Sequence, residues 1–222
     1  MKKIISILVI LCTALLTVHA ERVIVGAEQT KQYLPLLKNK RVALLSNHTG
    51  IIIQTKSEKA YPQPLPRRRG EIKGDTIHTL DLLLQHGVNV TAIFSPEHGF
   101  RGTAREGELV ASSVDEKTGI PILSLYDGKS KRPSKEAMQT FDVLITDIQD
   151  VGLRFYTYYV TMYRLMDVCA QEGKQFMVFD RPNPNGYYVD GPILDMKHKS
   201  GVGALPIPVV HGMTLGELAL MI

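Results

Sequence analysis

Cysteine is nearly absent from this 222-residue chain, which contains only Cys12 and Cys169. Cys12 lies within an apolar run over residues 4–18, directly after a positively charged start. We interpret residues 1–20 as an export signal, because this run ends at a small-residue cleavage site and is shorter than the roughly 20 residues that span a bilayer. After cleavage only Cys169 remains, which excludes an internal disulfide, and we expect no stable membrane insertion.

A strong charge of either sign is also lacking. The formal net charge is +4, and it falls to +2 when Lys2 and Lys3 are removed with the signal. So weak a basic balance gives no indication of a nucleic-acid partner. The composition, 44% hydrophobic and 22% charged, suits one ordinary domain over residues 21–222. We therefore expect an exported bacterial protein, either periplasmic or secreted.

Several motifs that would name a reaction are missing. No G-x-G-x-x-G follows an apolar run, so no dinucleotide is predicted, and the lack of a G-x-S-x-G elbow disfavours a serine hydrolase. Residues 128–130, Gly-Lys-Ser, resemble the tail of a phosphate-binding loop. However, Leu123 stands where the first glycine of that loop should be. The sequence thus predicts no cofactor.

Apolar runs that resemble strands alternate with helical segments along the whole chain. The predicted strands cover residues 41–46, 90–94, 121–125, 142–146, 175–179 and 206–210. The predicted helices cover 28–38, a segment capped by Asp75 or Thr76 and ended by Gly87, a short segment capped by Ser134, 155–171, and a segment with a Thr214/Glu217 capping box. This alternation predicts an α/β fold, Rossmann-like, with a mainly parallel sheet and helices on both faces.

The proline- and arginine-rich stretch at about residues 56–74 interrupts this pattern. Proline at that density cannot continue a helix or a central strand, so we expect an exposed insertion.

Polar side chains follow each predicted strand. In a parallel sheet the carboxyl ends of the strands lie at one edge, so these side chains are expected to gather there. The set contains carboxylates, imidazoles and guanidinium groups: Asn47, His48, Glu97, His98, Arg101, Tyr126, Asp127, Asp147, Asp150, Arg154, Asp180, Arg181 and His211. The sequence therefore predicts a polar active site at this edge.

Three chemistries fit these residues. Carboxylates such as Glu97, Asp147 and Asp150 are the groups that glycoside cleavage needs as acid, base or nucleophile. His98, Asp147, Asp150 and His211 could instead hold a divalent metal for hydrolysis, although their spacing matches no compact ligand motif. A non-catalytic ligand-binding cleft is the third possibility.

Five blocks of sequence resemble the NamZ-type exo-β-N-acetylmuramidases (glycoside hydrolase family 171). They are LSNHTG (45–50), FSPEHGFRG (94–102), DIQDVGLRFYT (147–157), DRPNP (180–184) and HGMTLGEL (211–218). The resemblance implies an exported bacterial enzyme that releases N-acetylmuramic acid from the non-reducing end of peptidoglycan fragments. Its expected partners are these peptidoglycan-derived glycans. It also implies a smaller C-terminal domain after the Rossmann-like one, which this chain would lack.

The resemblance implies a role for individual residues. Glu97 is expected to be the main catalytic carboxylate, and Asp150 and Asp147 are the candidates for the second catalytic group, unless the sugar's own acetamido group attacks. The guanidinium group of Arg101, Arg154 or Arg181 can bind the lactyl carboxylate of muramic acid with two parallel hydrogen bonds. The expected substrate-binding residues are Asn47, His98, Arg101, Arg154, Tyr156, Arg181, Asn183 and His211.

Overall fold

A six-stranded sheet forms the centre of the computed structural model, which describes residues 23–54, 75–96, 100, 113–125 and 132–222. Its strands are β1 (Arg41–Ser46), β4 (Asn89–Ser95), β5 (Ser113–Val114), β6 (Pro121–Ser124), β7 (Val143–Asp147) and β8 (Gln175–Val178), in the order β5-β6-β4-β1-β7-β8. All neighbours pair in parallel except β5, which is antiparallel to β6. The predicted α/β class and mainly parallel sheet are confirmed.

The order of the strands reverses beside β1. From β1 the chain goes outward through β4 and β6, and it then returns to place β7 and β8 on the other side. In sheets of this kind, ligands bind outside the carboxyl ends of the strands at the point of reversal. That point lies between the ends of β1 and β7, where Ser46 is in register with Asp147.

Alternating strand residues face two separate apolar layers, as expected for a sheet that is covered on both faces. The helices are α1 (Thr30–Leu37), α2 (Thr79–Gln85), α3 (Lys135–Met138), α4 (Tyr158–Gln171) and α5 (Leu215–Met221). On one face Leu45 and Phe94 pack with residues of α3, α4 and α5. On the other face Leu44 and Ile93 pack with residues of α1 and α2. This arrangement confirms helices on both faces.

A second, two-stranded sheet was not predicted. It pairs β2 (Ile51–Gln54) with β3 (Asp75–His78) in antiparallel register. The prediction that Asp75 or Thr76 caps the following helix is wrong, because both residues belong to β3. The cap of α2 is His78, whose side chain accepts from the backbone N–H of Leu80. The predicted insertion at 56–74 connects these strands and lies outside the described residues.

One helix boundary and one predicted strand also differ from prediction. Helix α4 begins at Tyr158 and not at residue 155, and Phe155 is 58% exposed. Residues 206–210 add no strand to the central sheet. Instead Val210 makes isolated antiparallel bridges to Leu153 and to Asp190. The predicted Ser134 cap of α3 and the Thr214/Glu217 capping box of α5 are confirmed.

Within the described part of the chain, no helix combines the length and hydropathy needed to cross a membrane.

Candidate functional site

The predicted site residues that the structure describes lie on loops at the carboxyl edge of the sheet. Asn47 follows β1, Asp150 and Arg154 follow β7, and Asn183 follows β8. The predictions for Glu97, His98 and Arg101, and for Tyr126 and Asp127, fall on residues outside the described part of the chain.

Asp147 and Arg181 form a buried ion pair at this edge. Arg181 Nε lies 2.5 Å from Asp147 Oδ1 and Nη2 lies 3.1 Å from Oδ2, while Nη1 donates to the carbonyl of Ile51. The Arg181 side chain is only 7% exposed and Asp147 is fully buried. Thr79 also donates its hydroxyl to Asp147 Oδ2. Both carboxylate oxygens of Asp147 are thus bound by the protein itself.

Asp150 has a different environment although it is only three residues further on. It is 5% exposed, and its Oδ1 accepts from the backbone N–H of Gly152 at 2.8 Å. Its Oδ2 is buried and has no hydrogen-bond partner among the described residues. Burial raises the pKa of Asp150 from 3.8 to about 6, against the opposing effect of the Gly152 and Val151 N–H groups. Asp150 therefore retains a proton at mildly acidic pH.

His211 lies on the loop that packs against Gly152, and its backbone N–H donates to the Gly152 carbonyl at 3.1 Å. Burial lowers its pKa, so the imidazole is neutral near pH 7. Its Nδ1 accepts from the Met213 N–H at 3.3 Å, which assigns the proton to Nε2. In the described part of the chain, that buried Nε2–H group has no partner.

Asn47 adds a third buried group of this kind. Its Oδ1 accepts from both the N–H and the hydroxyl of Thr49, at 2.9 and 2.6 Å, which fixes the orientation of the amide. Its Nδ2 is buried without a partner among the described residues. Buried polar groups are nearly always hydrogen-bonded in native proteins. Asn47, Asp150 and His211 thus present two donors and one titratable acid for which the described residues supply no hydrogen-bond partner.

Arg154 and Tyr156 lie closer to solvent. Nη1 of Arg154 donates to the carbonyl groups of Pro192 and Ile207, at 2.8 and 2.7 Å. Within the described residues, no group accepts from its Nε or Nη2. Tyr156 is 37% exposed, and its ring contacts the edge of the Tyr158 ring at a centroid distance of 4.9 Å.

Asn183 joins three loops of the site. Its Nδ2 donates to the carbonyl of Met213 and its Oδ1 accepts from the N–H of Asn185. The carboxamide also lies directly against Gly152, whose φ of 73° favours glycine and where a Cβ atom would overlap Asn183. Asn183 therefore holds the Asp150 loop beside the His211 loop.

Three residues that support the site were missed as functional by the sequence analysis. Thr79 binds Asp147, and Thr49 links Asn47 to the backbone N–H of Gln149. Tyr159, which lies in the predicted helix over residues 155–171 and was given no role in the site, accepts from the Ala204 N–H through its hydroxyl and lies edge-on to His211. A buried threonine or tyrosine hydroxyl gives no sequence pattern of its own.

A metal centre receives no support from the described residues, in which no three His, Cys, Asp or Glu side chains converge as metal ligands. Asp147, one of the candidate ligands, is already paired with Arg181.

The sequence of this chain is similar to those of known proteins. The family described as "Exo-beta-N-acetylmuramidase NamZ, N-terminal" matches residues 65–222. The chain is 44% identical over 189 residues to the peptidoglycan β-N-acetylmuramidase NamZ of Bacillus subtilis (strain 168), which covers 84% of this chain. The chain spans 40% of that relative's length.

Two crystal structures of DUF1343 family proteins from Bacteroides fragilis NCTC 9343 have the same fold. One (BF0379) is 56% identical, with a TM-score of 0.70, and the match covers 90% of this chain and 46% of the BF0379 chain. The other (BF0371) is 36% identical, with a TM-score of 0.72, and the match covers 89% of this chain and 44% of the BF0371 chain. With the match over residues 65–222, these findings show that the chain belongs to the family of NamZ exo-β-N-acetylmuramidase N-terminal regions.

Proposed function

We propose that this protein is an exo-acting β-N-acetylmuramidase that releases N-acetylmuramic acid from the non-reducing end of peptidoglycan fragments. Membership of the family supports the reaction class, and the name of the Bacillus subtilis relative supports the substrate. Glu97 is the main catalytic carboxylate in this proposal. It follows the end of β4 by two residues, and β4 pairs directly with β1 at the centre of the sheet.

The observation that carries the proposal is the environment of Asp150. Glycoside cleavage needs a carboxyl group that can hold or exchange a proton near the working pH. Asp150 has a pKa of about 6 and an Oδ2 without a partner in the described part of the chain. It lies beside β1 and β7, where the order of strands reverses. We therefore assign the second catalytic carboxylate to Asp150.

Asp147 is the weaker candidate for that role. Both of its oxygens are engaged by Arg181, and one also accepts from Thr79. Proton transfer or nucleophilic attack by Asp147 would first break a buried ion pair, which costs several kcal/mol. Asp147 is instead a positioning residue that fixes Arg181 and the end of β7.

The Nε and Nη2 edge of Arg154, from which no described residue accepts, suits the lactyl carboxylate of muramic acid. A carboxylate binds an arginine most strongly when Nε and Nη2 donate two parallel hydrogen bonds. In Arg181 that edge is already occupied by Asp147. Arg154 uses only Nη1 for backbone carbonyls among the described residues, and its position is half-buried. We therefore assign recognition of the carboxylate to Arg154.

The test of the proposed function uses the protein in the full length that its gene encodes. A chromogenic β-N-acetylmuramide should be hydrolysed, and Glu97→Gln should nearly abolish turnover. Binding without product would favour the glycan-binding alternative, and inhibition by a chelator would favour the metal hydrolase. Unchanged turnover in Glu97→Gln would remove Glu97 from the mechanism.

Arg154→Lys tests recognition of the carboxylate, because lysine keeps the charge and loses the two-donor edge. We expect KM for the muramide to rise about tenfold or more, with less than a twofold change in kcat, because Arg154 is assigned to binding of the lactyl group and not to bond cleavage. The exposed Arg132→Lys is the matched control. A fall in kcat with KM unchanged, or an equal rise of KM in Arg132→Lys, would contradict the assignment.

A further inference from the structure

Two tyrosine side chains project from the surface directly beside the candidate site. Tyr187 is 83% exposed and Tyr188 is 38% exposed, and their ring centroids lie 4.7 Å apart at an interplanar angle of 47°. Aromatic rings lose favourable free energy when they face water, and exposed apolar patches often mark binding sites for ligands. The pair therefore requires a reason for its exposure.

The backbone register fixes these tyrosines next to His211. Asp190 and Val210 exchange both backbone hydrogen bonds, at 3.0 and 2.9 Å, in an antiparallel bridge. That register places Val189 opposite His211 and Tyr188 opposite Gly212. The aromatic pair thus lies at the end of the loop that contributes His211, whose Nε2–H has no partner among the described residues.

Gly212 keeps the tyrosine loop close. Its φ is 69°, and a Cβ atom at this position would lie 3.0 Å from the Tyr188 carbonyl oxygen and 2.9 Å from a methyl carbon of Val189. A larger residue at this position would push the loop away. The backbone below the tyrosines is therefore held against the His211 loop, although the rings themselves face solvent.

We propose that Tyr187 and Tyr188 form a sugar-binding platform for the pyranose ring next to the scissile bond, on the side of the leaving group. A pyranose presents a face of C–H groups, which packs well on an aromatic ring, while its hydroxyls stay in water. The inference rests on the proposed function, since an exo-acting enzyme holds the terminal sugar among its catalytic groups and the remaining glycan passes over the rim. Neither tyrosine has a role in the bond cleavage itself.

Two substrates separate this platform from the catalytic groups. The methyl β-glycoside of N-acetylmuramic acid contains only the terminal sugar, whereas the disaccharide of N-acetylmuramic acid β-1,4-linked to N-acetylglucosamine adds the second ring. In the full-length protein, Tyr187→Ala and Tyr188→Ala should each raise KM for the disaccharide, and together by about tenfold, since each ring removes apolar surface of the sugar and of the protein from water. For the methyl glycoside, kcat and KM should each change less than twofold.

Phe155→Ala is the matched control, because Phe155 is an exposed aromatic residue that follows the Arg154–Val209 pairing, away from Gly212. It should leave both substrates unaffected. Equal changes for both substrates, or no change for the disaccharide, would overturn the proposal. A lowered Tm without discrimination between substrates would also overturn it, since it would show that another part of a longer chain covers the tyrosines.

Failure of the proposed function gives a different result. In that case the wild-type protein cleaves neither substrate, and the platform is then tested by calorimetric titration with the intact disaccharide. Weaker binding in the double variant than in Phe155→Ala would support the platform, and equal binding would refute it.

Discussion

Asp150→Asn should separate stability from activity in a pH-dependent manner. Burial raises the pKa of Asp150 from 3.8 to about 6 in the folded protein. Between these values the folded state binds a proton that the unfolded chain does not bind, so the free energy of unfolding falls as pH rises. With about 1.4 kcal/mol for each pKa unit, ionisation of Asp150 destabilises the fold by roughly 3 kcal/mol at pH 7.

Asparagine keeps the Oδ1 that accepts from Gly152 and cannot ionise, so it removes this penalty. Relative to wild type, the free energy of unfolding of Asp150→Asn should rise by roughly 3 kcal/mol between pH 4 and pH 7, and this difference should be constant above pH 7. Urea unfolding at closely spaced pH values measures this. Turnover of the muramide should fall by orders of magnitude at every pH, because the carboxyl group is gone.

The control is Asp167→Asn, which makes the same chemical change on an aspartate whose side chain is 42% exposed. The same pH-dependent gain in this variant would show a general effect of removing one carboxylate and not an effect of the Asp150 site. If the free energies of unfolding of Asp150→Asn and wild type change in parallel from pH 4 to 7, Asp150 does not carry a raised pKa. Its assignment as a proton-exchanging group then loses its basis.

The remaining predictions concern the groups that hold the site together. Asp147→Asn should lower the free energy of unfolding by about 3–5 kcal/mol, since it leaves Arg181 buried without its charge partner; a loss below about 1 kcal/mol in urea unfolding would contradict the ion pair. Thr79→Val should cost about 1–3 kcal/mol in the same experiment, because a buried carboxylate loses a donor. Gly152→Ala should both destabilise the fold and lower kcat, since its Cβ would displace Asn183 and shift the Asp150 loop; wild-type kcat in a folded variant would refute that coupling.

The central sheet was predictable because buried parallel strands form continuous apolar runs. The predicted strands 41–46 and 121–125 match β1 and β6 closely for this reason. The β2–β3 hairpin was not predictable, because Ile51–Gln54 pairs with a strand that begins some twenty residues later, and Asp75 and Thr76 have the residue types of a helix cap. Tertiary pairing overrode the local signal there.

The pattern of polar residues after each strand predicts an edge of the sheet, and the described candidate residues lie at that edge. The differences among these residues were not predictable. Asp147 and Asp150 look equivalent in sequence, and they differ only because Arg181, a residue 34 positions away, binds one and not the other. The distinction between Arg154 and Arg181 has the same origin. Such differences depend on long-range contacts that a linear pattern does not contain.

Analysis of products from two isomeric disaccharides tests the central claim most directly. One has N-acetylmuramic acid at the non-reducing end, and the other has N-acetylglucosamine there. Mass spectrometry of the reactions should detect free N-acetylmuramic acid from the first disaccharide and no cleavage of the second, with the product lost in both Glu97→Gln and Asp150→Asn. Cleavage of neither disaccharide, or of both at similar rates, would contradict the account.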